Sequence, residues 1–228
     1  MAFNKIWFIT LFPEIIRSYF QHGVISRASN YLEIVNPADF SEKGRKGVDS
    51  APYGGGPGMV MRADVLAATL DKTVLKGSPG VKREGLHVVY TSPVGPKWDS
   101  VHAKKLSRNI ITGSIKDLVF ICGRYEGVDQ RFIDLYVDSV FSVGDFVLTG
   151  GELPCLSIAD SFLRFVPGTL GNEVSAADDS FENGLLDSPK WTRPSIFKGR
   201  SVPEVLLSGN HSKIDQFNDS MRKPISST

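Results

Sequence analysis

The sequence is poor in the features that define several large classes of protein. It has only two cysteines, Cys122 and Cys155, with no CxxC pair and no histidine cluster to complete a zinc site. No apolar run is long enough to span a bilayer, and Pro13 and Glu14 interrupt the short apolar stretch near the amino terminus. We therefore expect buried free thiols, no contact with membranes and a cytoplasmic location.

The glycine cluster PYGGGPGM at 52–59 lacks the marks of a nucleotide-binding loop. It has no GKS or GKT ending, and Met59 occupies the place of the last glycine in GxGxxG. This argues against a nucleoside triphosphatase and against a dinucleotide oxidoreductase. The cluster is predicted to be a tight loop, and Lys43, Arg45 and Lys46 just upstream favour a loop that faces RNA.

An overall excess of charge is also missing, since the formal net charge is only +1. Its distribution is uneven, however. Residues 190–228 contain seven Lys or Arg and three Asp or Glu, a local charge of +4. A basic segment of this kind is expected either to follow the phosphates of a nucleic acid or to be an ordinary solvated surface.

Strand-like apolar segments alternate with helical patterns along the chain. Pro13 suits the first turn of a helix, and Gly and Pro separate several segments. This alternation predicts an α/β domain with a mainly parallel sheet. The predicted strands are 6–12, 32–35, 86–91, 118–122 and 137–143, and the predicted helices are 13–20, 62–73 and 153–165.

The texture of the sequence changes after Phe165. The stretch that follows is polar, rich in turn residues and without a sustained period, which is typical of a linker or functional loop. We expect three regions: a large domain over 1–170, a flexible linker over 171–186 and a small C-terminal domain over 187–228.

Three glycine-containing loops follow three of the predicted strands. They are TSPVGP at 91–96, CGRYEGVD at 122–129 and VGDFVLTGGELP at 143–154. In open α/β sheets, ligands bind beyond the carboxyl ends of the strands, where glycine lets the backbone approach a ligand closely. The three loops together predict one pocket, although each glycine alone is also a common turn residue.

Charged residues near these loops are the candidates for chemistry. Glu126 could receive an ammonium group or a ribose hydroxyl, or could be a surface glutamate. Arg164 lies in an otherwise apolar stretch, where a guanidinium is costly unless it is paired or reaches a ligand. Asp178, Asp179 and Ser180 form an acidic cluster in the linker, which on its own is more typical of a helix N-cap or an Asx turn. His211 is given no catalytic role.

These motifs, taken in order, resemble the bacterial tRNA (guanine-N(1))-methyltransferase family, TrmD. The matching segments are ITLFPE, PYGGGPGMVM, SPVG, ICGRYEGVDQR, SVGDFVLTGGELP, RFVPGTLG, DSF, GLLDSP, TRP and VPEVLLSGNH, over roughly 9–211. The resemblance implies an α/β fold of the SPOUT class, with a parallel sheet, a deep C-terminal trefoil knot and a small, mainly helical C-terminal domain. It also implies a homodimer that acts on the anticodon loop of tRNA.

The resemblance further implies a site for S-adenosylmethionine, the methyl donor. Asp179 becomes the general base and Arg164 the cation beside the guanine, while Asp179 and Asp187 reach across the dimer to the partner's site. A magnesium requirement is implied too, with no ligand cluster in the sequence to hold the ion. The expected donor-binding residues are Tyr90, Thr91, Ser92, Pro93, Gly95, Gly123, Tyr125, Glu126, Val143, Gly144, Phe146, Leu148, Gly150, Gly151, Pro154 and Asp187.

Two features depart from the family pattern. Lys190 and Trp191 stand where HYTRP usually begins, and the helical tail after the NH motif is shortened. In the family the tail is part of the domain that grips tRNA, so its shortening motivates one alternative function, and a second alternative also stays open. One is an RNA-binding protein without catalysis, and the other is a related SPOUT methyltransferase that modifies a different base. Asp179 favours N(1) of guanine, a nitrogen that must lose a proton.

Overall fold

The predicted alternation of strands and helices is present in the computed structural model, which describes residues 4–76, 84–169, 180–181 and 184–224. The chain divides into two compact units, Met1–Gly171 and Asn172–Thr228. Most of the predicted linker at 171–186 lies outside the described residues, and so does Asp179.

The first unit is built from alternating strands and helices. Short 3₁₀ segments connect several of them, notably at Val24–Tyr31 and Gly44–Gly47. The elements are β1 (Lys5–Ile9), α1 (Pro13–Phe20), β2 (Leu32–Val35), β3 (Asp49–Ser50), β4 (Val60–Met61), α2 (Ala63–Thr73), β5 (Leu86–Thr91), α3 (Ser100–Ile111), β6 (Asp117–Ile121), α4 (Gln130–Tyr136), β7 (Ser139–Phe141) and α5 (Glu152–Leu163).

Five of these strands form one parallel sheet in the order β2-β1-β6-β5-β7. The predicted α/β fold with a parallel sheet is therefore confirmed. Because β6, β5 and β7 are neighbours and run in the same direction, their carboxyl ends meet at one edge of the sheet. The three glycine-containing loops leave from that edge.

Apolar side chains cover both faces of the sheet, as a buried parallel sheet requires. Alternation along β1 sends Phe8 to one face and Ile9 to the other. Helices α1, α3 and α5 pack on the first face, and α2 and α4 on the second. Cys122 and Cys155 are free and fully buried, as the sequence predicted.

Helix α3 is the main element that the sequence analysis missed. Its apolar positions include Ala103, Leu106 and Ile110, a helical spacing that the charged residues between them obscure. Asp99 caps the helix by accepting a hydrogen bond from the backbone N–H of His102 at 2.9 Å. The last predicted strand is also shorter than expected, Ser139–Phe141 in place of 137–143.

The described part of the second unit combines short strands with helices: β8 (Leu185–Leu186), β9 (Ile196–Phe197), β10 (Arg200–Ser201), α6 (Glu204–Leu207), α7 (His211–Met221) and β11 (Lys223–Pro224). Asn210 caps α7 by accepting a hydrogen bond from the N–H of Lys213 at 3.2 Å. The rings of Trp191 and Phe217 lie 5.8 Å apart. Across the described part of both units, no helix has the length and apolar character needed to cross a bilayer.

Candidate methyl-donor site

The three loops that follow β5, β6 and β7 enclose a pocket of about 240 Å³ at the carboxyl edge of the sheet. Hydrogen bonds tie the loops to one another. The N–H of Ser92 donates to the carbonyl of Phe141 at 2.9 Å, and the N–H of Gly151 donates to that of Gly123 at 2.8 Å. The lining residues are Tyr90, Thr91, Ser92, Pro93, Gly123, Arg124, Tyr125, Glu126, Gly127, Phe141, Ser142, Val143, Gly144, Phe146, Val147, Leu148, Thr149, Gly150, Gly151 and Pro154.

The structure brings together all of the expected donor-binding residues except Gly95 and Asp187. Gly95 instead lines an adjoining cavity of about 690 Å³, which shares Tyr90, Ser92 and Glu126 with the pocket. A Cβ atom on Gly95 would lie 2.8 Å from backbone atoms of Phe141. This glycine therefore lets two pocket loops pack against each other.

Close backbone packing also explains why two positions inside the pocket are occupied by glycine. A Cβ atom on Gly151 would lie 2.6 Å from the backbone nitrogen of Gly123, and one on Gly123 would lie 2.8 Å from the ring of Tyr90. The second and third loops thus touch through their main chains. Side chains at these positions would push the walls of the pocket apart.

Tyr125 has an unusual backbone conformation for a residue with a side chain. Its φ is 59°, in the left-handed region, and the N–H of Gly127 donates to the carbonyl of Arg124 at 3.1 Å to close the turn. Such a conformation costs roughly 1–2 kcal/mol and is concentrated at functional sites. The ring of Tyr125, and that of Phe146 on the third loop, are about half-exposed at the pocket.

A buried polar network supports the same pocket, and the sequence analysis did not anticipate it. The carboxylate of Glu152, 1% exposed, accepts a hydrogen bond from the hydroxyl of Thr10 at 2.7 Å and pairs with the guanidinium of Arg124 at 2.7 Å. Arg124 also donates to the carbonyl of Thr149 at 3.1 Å and lies 4.2 Å from the ring centre of Phe12. In the sequence, only the charged residues within the motifs GRYEG and GGELP could have indicated this network.

Burial sets the ionisation of two groups next to the pocket. It raises the pKa of the Tyr90 phenol, and it raises the pKa of the Cys122 thiol well above its usual range. Both groups therefore stay protonated at neutral pH. Neither is suited to act there as a base or as a nucleophile.

Arg164 lies away from the pocket. It caps the carboxyl end of α5, whereas the pocket residue Gly151 caps the amino end, so the two are separated by roughly 18 Å along the helix axis. Although the sequence around Arg164 is apolar, its position just past the last helical residue leaves the side chain exposed. Arg164 lines a groove between α1 and α5, together with Ile15, Tyr19 and Leu153 among others.

Comparison with known proteins decides the family. The profile of the family described as tRNA (Guanine-1)-methyltransferase TrmD matches residues 4–225. The chain is 46% identical over 210 residues to a tRNA (guanine-N(1)-)-methyltransferase of Vibrio vulnificus strain YJ016, covering 90% of this chain and 80% of the relative. A protein of the same name from Histophilus somni strain 2336 is 45% identical over 213 residues, covering 92% and 82%. The chain belongs to the TrmD family.

Two further residues singled out by the likeness to the TrmD family lie in the second unit. Asp179 is outside the described residues. Asp187 is described: its carboxylate accepts from the N–H of Ser188 at 2.7 Å and from the ammonium of Lys190 at 3.0 Å, and Lys190 lowers the pKa of Asp187. Lys190, a departure from the family motif, thus holds Asp187 ionised.

The sequence analysis predicted no ligands for a metal ion. Within the described ranges, no group of three or more His, Cys, Asp or Glu side chains is arranged to hold a metal ion. The magnesium requirement that the family resemblance implies stays a prediction without a site.

Proposed function

We propose that this protein transfers a methyl group from S-adenosylmethionine to N(1) of guanosine 37, next to the anticodon of tRNA. Membership of the TrmD family carries the proposal. The pocket formed by the loops after β5, β6 and β7 supports it, because the same residues that the motifs single out lie together there.

The pocket suits a donor that combines a flat base, a ribose and an amino-acid group. The apolar side chains of Phe146, Leu148 and Pro154 offer a surface for adenine, and the glycine-containing loops expose backbone groups for hydrogen bonds. Glu126 supplies a carboxylate for an ammonium or a ribose hydroxyl. When bound, S-adenosylmethionine supplies a methyl group on a positively charged sulfur, so the protein needs no nucleophilic side chain of its own.

The proton on guanine N(1) must leave as the nitrogen attacks the methyl carbon. We assign its acceptance to the carboxylate of Asp179, in the role of general base. As the proton leaves, negative charge builds on O6 of the base, and a guanidinium fixed beside O6 stabilises it. That role falls to Arg164. The tRNA must also present the base outside its stack for the donor to reach it.

These assignments require a second copy of the chain. Arg164 and the pocket of the same subunit occupy opposite ends of α5, too far apart to contact one base. A homodimer that joins the Arg164 end of one copy to the pocket of the other removes this separation. The groove between α1 and α5 supports such pairing, because Ile15, Val24 and Leu153 expose apolar surface there.

The trefoil knot implied by the family is part of the same proposal. The segment between β7 and α5 leaves the edge of the sheet and returns over its centre. Gly151 there bonds to Gly123 after β6, and Glu152 reaches Thr10 after β1. A knot forms when one segment of the chain passes through a loop made by another, which requires close contacts of this kind. The proposed knot would hold the donor loops in place without a covalent link.

Single-turnover methyl transfer from labelled donor tests the proposal. The substrates are two tRNA transcripts that differ only in having G or A at position 37, and the enzymes are the wild type and Asp179→Ala. We expect transfer to the G37 transcript alone, a large loss with Asp179→Ala, and unchanged donor affinity in that variant. Nucleoside analysis of the product identifies N(1).

Two results would contradict the proposal. A folded wild type that binds the donor and tRNA but transfers no methyl group would instead be an RNA-binding protein. Transfer to another base or another ring atom would make it a related methyltransferase of different specificity.

A further inference from the structure

Tyr53 is the most exposed of the large apolar and aromatic side chains in the described residues, with 98% of its surface open to solvent. Tyr19 and Tyr125, by comparison, are 39% and 46% exposed. A ring that packs against nothing contributes no burial to stability. Tyr53 comes just before Gly54, Gly55, Gly56 and Gly58, all of which have positive φ, so its ring projects from a tight loop.

This loop, residues 51–59, is attached to the pocket. Strands β3 and β4 pair at its base, with Asp49 opposite Met61 and Ser50 opposite Val60. The N–H of Glu126 donates to the carbonyl of Met59 at 2.9 Å, and the N–H of Met61 donates to that of Gly127 at 2.9 Å. The loop that carries Tyr53 is therefore bonded directly to the pocket loop after β6.

The side chain of Glu126 also lies against the 51–59 loop. A Cβ atom on Gly58 would lie 2.4 Å from Cγ of Glu126, so the 51–59 loop lies directly against this side chain, and the φ of 82° at Gly58 favours glycine there. Tyr53 thus stands on a short loop whose other end contacts the pocket wall.

Cations flank the base of this loop on both sides. Lys43, Arg45 and Lys46 precede β3, and none of them has a carboxylate within ion-pair distance among the described residues. Arg62 follows β4. On the adjoining helix, Arg131 is paired with the carboxylate of Asp129 at 2.7 Å. An exposed aromatic ring among cations is the arrangement that recognises unstacked nucleic acid.

We propose that Tyr53 stacks on the nucleobase adjacent to the target guanosine. When the target base leaves the stack, its neighbour loses a stacking partner, and an aromatic ring at the rim of the pocket can replace it. Lys43, Arg45 and Lys46 attract the phosphates on either side. This inference rests on the proposed function, since it takes RNA to be the substrate, and it adds a residue that positions the RNA beside the donor pocket.

The test compares wild type, Tyr53→Ala, Tyr53→Phe and, as a matched control, Ile111→Ala. Ile111 is also exposed, but it ends α3 and so faces the opposite edge of the sheet. We expect Tyr53→Ala to weaken equilibrium binding of the tRNA transcript roughly 5- to 100-fold, the range for loss of one base stack. Tyr53→Phe and Ile111→Ala should bind like wild type, and donor affinity and melting temperature should change in none of them.

Ligated transcripts with an abasic nucleotide at position 36 or 38 identify the stacking partner. At one of the two positions, the missing base should weaken the wild type but have little additional effect on Tyr53→Ala. Independent, multiplicative losses at both positions would overturn the proposal, as would unchanged binding by Tyr53→Ala. Because these are binding measurements, they are independent of methyl transfer, and failure of the proposed function would appear separately as binding without transfer.

Discussion

The guanidinium of Arg124 lies 2.7 Å from the carboxylate of Glu152, and the two residues connect the pocket to the core of the sheet. Arg124 lines the pocket and holds the carbonyl of Thr149, while Glu152 begins α5 and bonds to Thr10 at the end of β1. A carboxylate at the first turn of a helix is also favoured by the helix dipole. The pair therefore fixes the third pocket loop to the middle of the sheet.

Removing one partner of this pair should destabilise the fold strongly. Glu152→Ala leaves Arg124 without its partner in a mostly buried site, at a cost of about 3–5 kcal/mol. Glu152→Gln keeps a hydrogen bond to Thr10 and should lose less. Urea unfolding at neutral pH measures both, with Glu14→Ala as the control because Glu14 pairs with Arg17 on the surface. Equal stability of Glu152→Ala and Glu14→Ala would show that the buried pair contributes little.

Gly151→Ala tests whether close packing of the main chain shapes the pocket. The new methyl group would lie 2.6 Å from the backbone of Gly123, so the loop must move, and we expect a loss of about 1–3 kcal/mol together with weaker donor binding. Gly44→Ala is the control, since Gly44 has a φ of 58° but open space around it. It should lose about 1–2 kcal/mol from backbone strain alone and leave donor affinity, measured by calorimetry, unchanged.

The hydrogen bond between Tyr19 and Asp160 should give stability a specific dependence on pH. The phenol donates to the carboxylate at 2.6 Å, and this bond raises the pKa of Tyr19 to about 12. The folded state therefore holds the proton more tightly than the unfolded state, whose pKa is about 10. The bond's contribution is complete below pH 10 and is lost as the pH rises towards 12.

Tyr19→Phe should accordingly lower the free energy of unfolding by about 1 kcal/mol at pH 7 to 9, a value kept modest because the group is partly exposed. The difference from wild type should shrink above pH 10. Denaturant unfolding at fixed protein concentration measures it, with Tyr53→Phe as a control for removal of an exposed phenol. A difference that grew with rising pH would contradict the assignment.

Mixed dimers test whether each proposed active site takes residues from two subunits. Asp179→Ala has an intact pocket but no general base, and Gly151→Ala has an intact Asp179 but binds the donor more weakly, so each homodimer should lose most of its activity at low donor concentration. A heterodimer of the two, purified through separate tags, contains one complete composite site and should recover about half of the wild-type activity. A heterodimer of Arg164→Ala and Gly151→Ala should recover activity to the same extent. No recovery in either pairing would mean that each site is built within one chain.

Local pattern in the sequence was enough to predict the sheet and the position of the pocket. Strands such as Leu86–Thr91 and Leu32–Val35 were predicted with the bounds that they have, because each is a short apolar run set apart by turn residues. The carboxyl ends of parallel strands lie at one edge of the sheet, so glycine loops after three strands were expected to form one pocket, and the neighbouring positions of β6, β5 and β7 bring them together. Helix α3 escaped because charged residues obscure its apolar face.

Only the tertiary structure decided which charges pair and which are kept apart. Thr10 and Glu152 lie 142 positions apart in sequence, and no local pattern announces their hydrogen bond. The length of α5 separates Arg164 from the pocket of its own subunit, although the motifs place both in one function. Sequence determines the residues and their local conformations, whereas burial, distance and long-range contacts determine which of them act together.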